Sequence, residues 1–205
     1  INNVHLLSFK RLAFTVFNEV GGITHSYMND TGKAIIIGRS IEEVQEELSI
    51  FKRATKQNGF VDKIIGVLTE FKRHNIFPQT LLDLKENVDE NSLLVDKLTD
   101  VEKIYSKFQE KLNEGYFDSE DNLTILKEKI EESEFLKGAE VWIDEFNGFT
   151  PQQYDIIGKL LKLCTNVNIT LPYSGREVQG DGDDTNPKRI SSLSALSLRL
   201  AKLSE

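Results

Sequence analysis

With 205 residues, 39% hydrophobic and 28% charged, the chain is long enough for one sizeable domain or two small ones and can bury a core. Its 25 Lys and Arg against 33 Asp and Glu give a net charge of −8. Such a surface disfavours autonomous tight binding to nucleic acid, since the small basic clusters Lys10-Arg11, Lys52-Arg53, Lys72-Arg73-His74 and Lys188-Arg189 each read as solvated helix faces.

Val4-His5-Leu6-Leu7 reads as a short strand, and Ser8 as the cap of a helix whose apolar residues are Leu12, Phe14, Val16, Phe17 and Val20. Gly21-Gly22 ends that helix. From about Ile23 to Phe135 the pattern turns helical. Ile41, Val44, Leu48 and Phe51 recur at spacings of three and four, as do Val61, Ile64, Ile65, Leu68 and Phe71. The run Ala34 to Ile37 suits a strand or a helix, and its helix-forming flanks favour the helix. Pro78 suits the first turn of a new helix after a break at Asn75-Ile76-Phe77. The longest stripe runs Leu94, Leu98, Val101, Ile104, Tyr105, Phe108, Leu112 and stops at Gly115. Ser119-Glu120-Asp121 restarts a helix containing Leu123, Ile125, Leu126 and Ile130. These stripes read as the core of a bundle rather than as partner-binding faces.

After Gly138 the grammar becomes strand, helix, strand. Glu140 to Ile143 is predicted as a short buried strand. Thr150-Pro151 opens a helix with Tyr154, Ile156, Ile157, Leu160 and Leu161, and Val167 to Leu171 forms the next strand, parallel to the first. Ser174 to Pro187 reads as a mobile loop and Ile190 to Leu203 as a closing helix. The fold class is therefore α/β, a parallel sheet interrupted by a large all-helical insertion. The domain reading is 1–22 with 136–205 for the sheet part and 23–135 for the insertion.

The single cysteine, Cys164, excludes an internal disulfide and a cysteine-built metal or iron–sulfur site within the chain. Flanked by Leu160, Leu161 and Leu163, it reads as a buried helix residue. His5, His25 and His74 lack ligand spacing. No apolar stretch approaches membrane-spanning length and no signal-peptide pattern opens the chain, so we expect a cytoplasmic protein with no membrane partner. Opening on Ile1 rather than methionine, it reads as an internal piece of something longer.

The chemistry-bearing stretch is Val141-Trp142-Ile143-Asp144-Glu145. A strand there delivers two carboxylates to the carboxyl edge of the sheet, where ligands of open α/β sheets bind. Asp144 is the candidate Mg²⁺ ligand, because Mg²⁺ takes hard oxygens, often one or two carboxylates plus substrate phosphates. Glu145 is the candidate for orienting water against a γ-phosphate. The competing reading is an acidic loop that caps the following helix.

Asp144-Glu145-Phe146, with Pro151, Gln153 and Tyr154 after it, resembles the Walker B stretch of UvrD-type superfamily 1 helicases, Asp-Glu-Phe-Gln-Asp-Thr-Asn-Pro-x-Gln. Phe117-Asp118-Ser119-Glu120-Asp121-Asn122-Leu123 resembles the Asp-Phe-Asp-Asp-Leu segment of those helicases. Leu7-Ser8-Phe9 with Leu12-Ala13 resembles their stretch that touches single-stranded DNA. A nearer resemblance, to the AddB subunits of AddAB helicase–nucleases, covers residues 4 to about 171. It is carried by Val4 to Phe14, Asn18 to Gly22, Phe51-Lys52-Arg53-Ala54, Gly59-Phe60, Glu70-Phe71-Lys72 and Trp142 to Gln152.

The resemblance implies a partial RecA-like helicase domain 1A with a 1B-like insertion. It implies a parent that pairs with an AddA-type helicase/nuclease subunit as a heterodimer, acts on DNA at double-strand breaks for recombinational repair, and responds to a Chi sequence. It implies ATP and Mg²⁺ in the parent if the motor binds nucleotide. An iron–sulfur cluster and a nuclease are expected only outside this stretch. By the same resemblance Asp144, Glu145 and Gln153 are Walker B-like candidates, Asp144 the Mg²⁺ ligand, and Ser8 and Phe9 the DNA contacts. The departures are equally specific. No Gly-x-x-x-x-Gly-Lys-Ser/Thr occurs, so the phosphate-cradling P-loop is missing. Gly148 and Phe149 replace Asp and Thr, and Pro172-Tyr173-Ser174-Gly175 replaces the Gly-Asp-x-x-Gln sensor. This stretch alone is thus expected to be inactive and to serve as a DNA-scanning and partner scaffold. The alternatives are the middle section of an active UvrD-type motor and a helical interaction module without nucleotide chemistry.

Overall fold

The structure is a computed structural model that describes residues 4–21, 26–85 and 92–170, with only the backbone described at 26–27. The loop and closing helix expected at 174–203 lie outside the described residues. The chain divides into two compact units, Ile1–Gly22 with Leu123–Glu205, and Ile23–Asn122. No helix among the described residues is long and apolar enough to cross a membrane.

The first unit opens with Val4–Ser8 outside any strand, a correction to the strand expected at Val4–Leu7. A strand needs a neighbour to complete its hydrogen bonds, and no described residue pairs with this segment. Val4 and Leu6 stay 90% and 92% exposed. His5 turns inward, edge-on to Phe135 at 5.1 Å. Ser8 then caps α1 (Phe9–Val20) by accepting from the Arg11 N–H, and Gly21, at φ 77°, ends it as only glycine does cheaply. Leu12, Ala13, Val16 and Phe17 form its buried face. At the far end of α1, Glu19 accepts from the Ser133 hydroxyl and from the N–H groups of Glu134 and Phe135, which holds its carboxyl below the usual range.

α6 (Asn122–Lys129), β3 (Glu140–Ile143), α7 (Pro151–Leu163) and β4 (Asn166–Ile169) complete this unit. Leu126, Ile130, Ile156 and Ile157 are fully buried within it. Lys127 pairs with Asp155 at 3.0 Å, and Lys159 with Glu131 at 2.7 Å, stitching α6 and the turn after it to α7. β3 and β4 pair in parallel around the α7 crossover, as predicted. The strand is not the buried one expected. Only Ile143 is buried and Trp142 is 67% exposed, because α7 packs one face of the sheet and no described element packs the other. Cys164 is likewise corrected. It stands just past α7 as its C-terminal cap, half-buried, with its thiol donating to the Leu136 carbonyl at 3.5 Å.

The second unit contains α2 (Asp30–Val44), α3 (Phe60–Arg73), α4 (Pro78–Lys85) and α5 (Leu93–Leu112). Ile37, Ile41, Ile64, Leu68, Ile104 and Phe108 lie at its centre. The ambiguous run Ala34 to Ile37 lies inside α2, with Ile37 fully buried. The stripe through Leu48 and Phe51 is interrupted: α2 runs into a 3-10 turn at Gln45–Glu47 and a separate 3-10 helix spans Phe51–Lys56. Asp100 causes the break. Its buried carboxylate accepts from the Ser49, Ile50 and Phe51 N–H groups at 2.8–2.9 Å, replacing helical hydrogen bonds there.

The unit is not all-helical. β1 (Ser26–Tyr27) pairs in parallel with β2 (Tyr116–Phe117), joining the segments by which the chain enters and leaves. Two-residue strands are too short to show a period of two in sequence. Immediately after β2, Asp118 is 1% exposed and ion-paired to Lys33 at 3.1 Å and Lys72 at 2.9 Å; Lys72 also reaches Asp121 at 2.7 Å and lies 5.3 Å above the Phe108 ring centre. Burial opposes ionisation of Asp118, but the two ammonium groups outweigh it and hold its carboxyl below the usual range. For Asp121 burial wins and pushes the carboxyl up.

Replacing Asp118 by Asn leaves Lys33 and Lys72 short of their shared counter-charge. Losing one partner of a buried ion pair costs about 3–5 kcal/mol. We expect a loss of that size in urea unfolding of the 205-residue chain at neutral pH, and no measurable loss for Glu46→Ala, whose partner Lys52 lies at the surface. Because the Asp118 pKa is depressed on folding, its contribution is present above the unfolded value and lost as pH falls through the folded one. The gap between wild type and Asp118→Asn should therefore close only in acid, and a gap that widened there would contradict the assignment.

Candidate functional site at the end of strand β3

β3 ends at Ile143, and the parallel register Ile143↔Ile169 sets the next residues, Asp144 and Thr170, side by side. The Thr170 N–H donates to the Ile143 carbonyl at 2.9 Å, and its hydroxyl donates to Asp144 Oδ1. The same carboxylate oxygen accepts from the Glu145 N–H at 2.8 Å. These two donors, the Thr170 hydroxyl first, hold the Asp144 carboxyl below the usual range. Glu145 sits at φ 65°, in the left-handed region that costs a non-glycine residue about 1–2 kcal/mol. Its side chain is exposed.

The chain then turns through an aromatic stack. Phe146 and Phe149 stack with centres 5.1 Å apart; Phe9, the first residue of α1, meets them edge-on at 5.6 and 6.4 Å; Phe149 meets Tyr154 of α7 at 5.6 Å. Thr150 opens α7 with a capping box: its hydroxyl accepts from the Gln153 N–H, and the Gln153 side-chain oxygen accepts from the Thr150 N–H.

The structure thus gathers Asp144, Glu145, Phe9 and the start of α7 around one turn. Gln153 is occupied as a helix cap, Ser8 as the cap of α1, and Phe9 as a packing residue. The donor set does not by itself make a Mg²⁺ cage. Asp144 has one oxygen committed to two donors, and no group of three or more His, Cys, Asp or Glu among the described residues is placed to hold a metal. Thr170 and the aromatic stack are parts of the site that sequence reasoning does not find. Motif comparison treats Phe9 singly and Phe149 only as a loss of polarity. The recurrence of Phe at 9, 146 and 149 on both sides of one turn is the available signal.

Among known proteins, a family model described as ADDB, N-terminal, matches residues 1–190. The chain is 44% identical over 177 residues to an AddB-type protein of Clostridium tetani, a subunit of an ATP-dependent helicase/deoxyribonuclease, in a match covering 85% of this chain and 15% of that protein. It is 47% identical over 171 residues to the protein of the same name from Clostridium novyi, covering 83% and 15%. With the one from Thermoanaerobacter sp. it shares 46% identity over 179 residues, covering 87% and 16%. The chain spans about 15% of the length of these curated relatives.

Glycine enters the left-handed region freely, so Glu145→Gly should raise stability by up to about 1 kcal/mol in urea unfolding. Glu145→Val should lower it. Equal stabilities for the two variants would show that the turn does not hold that conformation.

Proposed function

The chain belongs to the AddB N-terminal family, and from that premise we propose that it forms part of the helicase-like region of the AddB subunit of an ATP-dependent helicase/deoxyribonuclease. In that reading the parent processes DNA double-strand breaks for recombinational repair together with an AddA-type subunit. Residues 1–22 and 136–205 are its partial RecA-like domain 1A, and 23–135 a 1B-like insertion whose compact part is 23–122. This stretch serves as scaffold for partner and DNA, with Ser8 and Phe9 as DNA-contact candidates, rather than as a working ATPase.

The observation that supports a silent turn most directly is the engagement of Asp144 with Thr170 and with the Glu145 N–H. An Asp that must ligate Mg²⁺ and a γ-phosphate needs its oxygens free and a P-loop to present the nucleotide, and no P-loop motif is written in this chain. The chain by itself is expected to neither bind ATP·Mg²⁺ tightly nor turn it over. Micromolar affinity or steady hydrolysis, measured by calorimetry and phosphate release, would remove the scaffold reading.

A second reading, a working motor of which this is the middle section, is favoured by Glu145, a carboxylate exposed at the sheet edge. Glu145→Gln in the full-length protein separates the two. Loss of DNA-stimulated ATP hydrolysis on that change supports the motor, whereas unaltered turnover of the two-subunit enzyme supports the scaffold.

A further inference from the structure

Parallel strands are ordinarily covered on both faces. In the β3–β4 pair, alternation places Val141 and Ile143 on one face and Glu140 and Trp142 on the other. Trp142, the chain's one tryptophan, is 67% exposed on that second face. Its orientation is nevertheless fixed. The indole Nε1–H donates to Glu140 Oε1 at 3.1 Å, and the Asn168 amide of β4 donates to the same oxygen at 3.3 Å. With its one donor satisfied, the exposed remainder of the ring is apolar aromatic surface. Beside it stands a carboxylate that has no ion pair among the described residues.

An ordered indole next to an un-neutralised carboxylate suits a guanidinium. The ring attracts the cation over its face, and the carboxylate accepts from the planar fork. Lysine fits less well, because its ammonium is more strongly hydrated and lacks the planar fork. Nucleic acid fits poorly, since Glu140, Asp144 and Glu145 follow one another along this strand and its end, and the whole chain carries a charge of −8. Tryptophan and arginine are also the residues that most often dominate the energetics of protein interfaces.

We propose that the Glu140–Trp142 face of β3 docks an arginine-bearing segment of a partner protein, with Trp142 as the anchor. The proposal rests on the scaffold reading above and gives that scaffold a surface and a partner chemistry. Ordering of the indole by Glu140 and Asn168 removes part of the entropy cost of docking before the partner arrives.

The test uses the full 205-residue chain carrying 5-fluorotryptophan, which gives one ¹⁹F resonance. In the free chain that resonance should respond to solvent isotope and to acrylamide. A resonance shielded from both overturns the proposal, because the face is then covered from within the chain. Adding the AddA-type subunit should shift or broaden the resonance. Trp142→Ala should weaken the complex on the order of thirtyfold, the loss typical of an interface anchor. Glu140→Gln, which keeps the shape and the hydrogen-bond acceptor, should weaken it by a smaller factor that shrinks with added salt. A complex of unchanged affinity in both variants, with an unmoved resonance, overturns the docking face while the scaffold reading stands. Absence of any complex with the wild-type chain overturns the scaffold reading and the docking face together.

Discussion

Everything at the candidate site depends on the parallel register of β3 with β4. Pairing Glu140 with Asn166 and Ile143 with Ile169 fixes which side chains look toward α7 and which look away. A slip of one residue would exchange the faces, bringing Trp142 and Glu140 under α7 and turning Ile143 out. The apolar content of Val141, Ile143, Val167 and Ile169 is enough to forbid that slip. The same register brings Asp144 level with Thr170, so the clasp at the strand ends and the open Glu140–Trp142 face are two results of one alignment.

The helical unit solves a different problem. Its apolar stripes would close a bundle without help, yet two lysines occupy core positions: Lys33 continues the line of Ile37 and Ile41, and Lys72 that of Ile64 and Leu68. An ammonium group so placed is strongly penalised unless an anion accompanies it. Asp118 and Asp121 supply the anions from the segment that follows β2, and the Phe108 ring adds a cation–π contact to Lys72. The exit limb of the unit is thereby fixed by charge rather than by its short strand, since one two-residue bridge contributes little by itself. Tyr105, fully buried near the same carboxylates, has its phenol pushed up by burial and then by Asp121 and Asp118, so it stays neutral throughout the range in which the chain is folded.

Much of this was legible in the sequence where a local rule had no competitor. Thr150-Pro151 with Gln153 specified a capped helix start, and the structure forms the capping box there. The stripes of α3 and α5 became helices because their spacing repeats for several turns. Legibility failed where the determining partner is distant. Nothing near Leu48 announces that Asp100, about fifty residues on, will take its neighbours' N–H groups and break the helix. Nothing in Val4–Leu7 says that an apolar, extended run will lack a strand beside it. The lysines at 33 and 72 were visible as charges on an otherwise apolar line, but their meaning depended on Asp118, whose sequence context suggested only a helix start.

The turn after β3 brings these considerations to bear on chemistry. A left-handed glutamate next to an aspartate locked to its neighbour strand is a conformation that must be held against its own strain. Two sets of contacts hold it: the Thr170–Asp144–Glu145 hydrogen bonds on one side and the Phe9, Phe146 and Phe149 stack on the other. In UvrD-type motifs the positions of Gly148 and Phe149 are polar. Here glycine leaves the chain free to fold back, and phenylalanine fills the space with an apolar ring. A loop plugged in this way exchanges adjustability for order. A turn that must sense a phosphate needs side chains able to change partners during a cycle, whereas a turn that serves as framework needs them fixed. The residues around Glu145 have the second character, and the acidic pair keeps the shape of a nucleotide-site turn while its contacts hold the strand ends together.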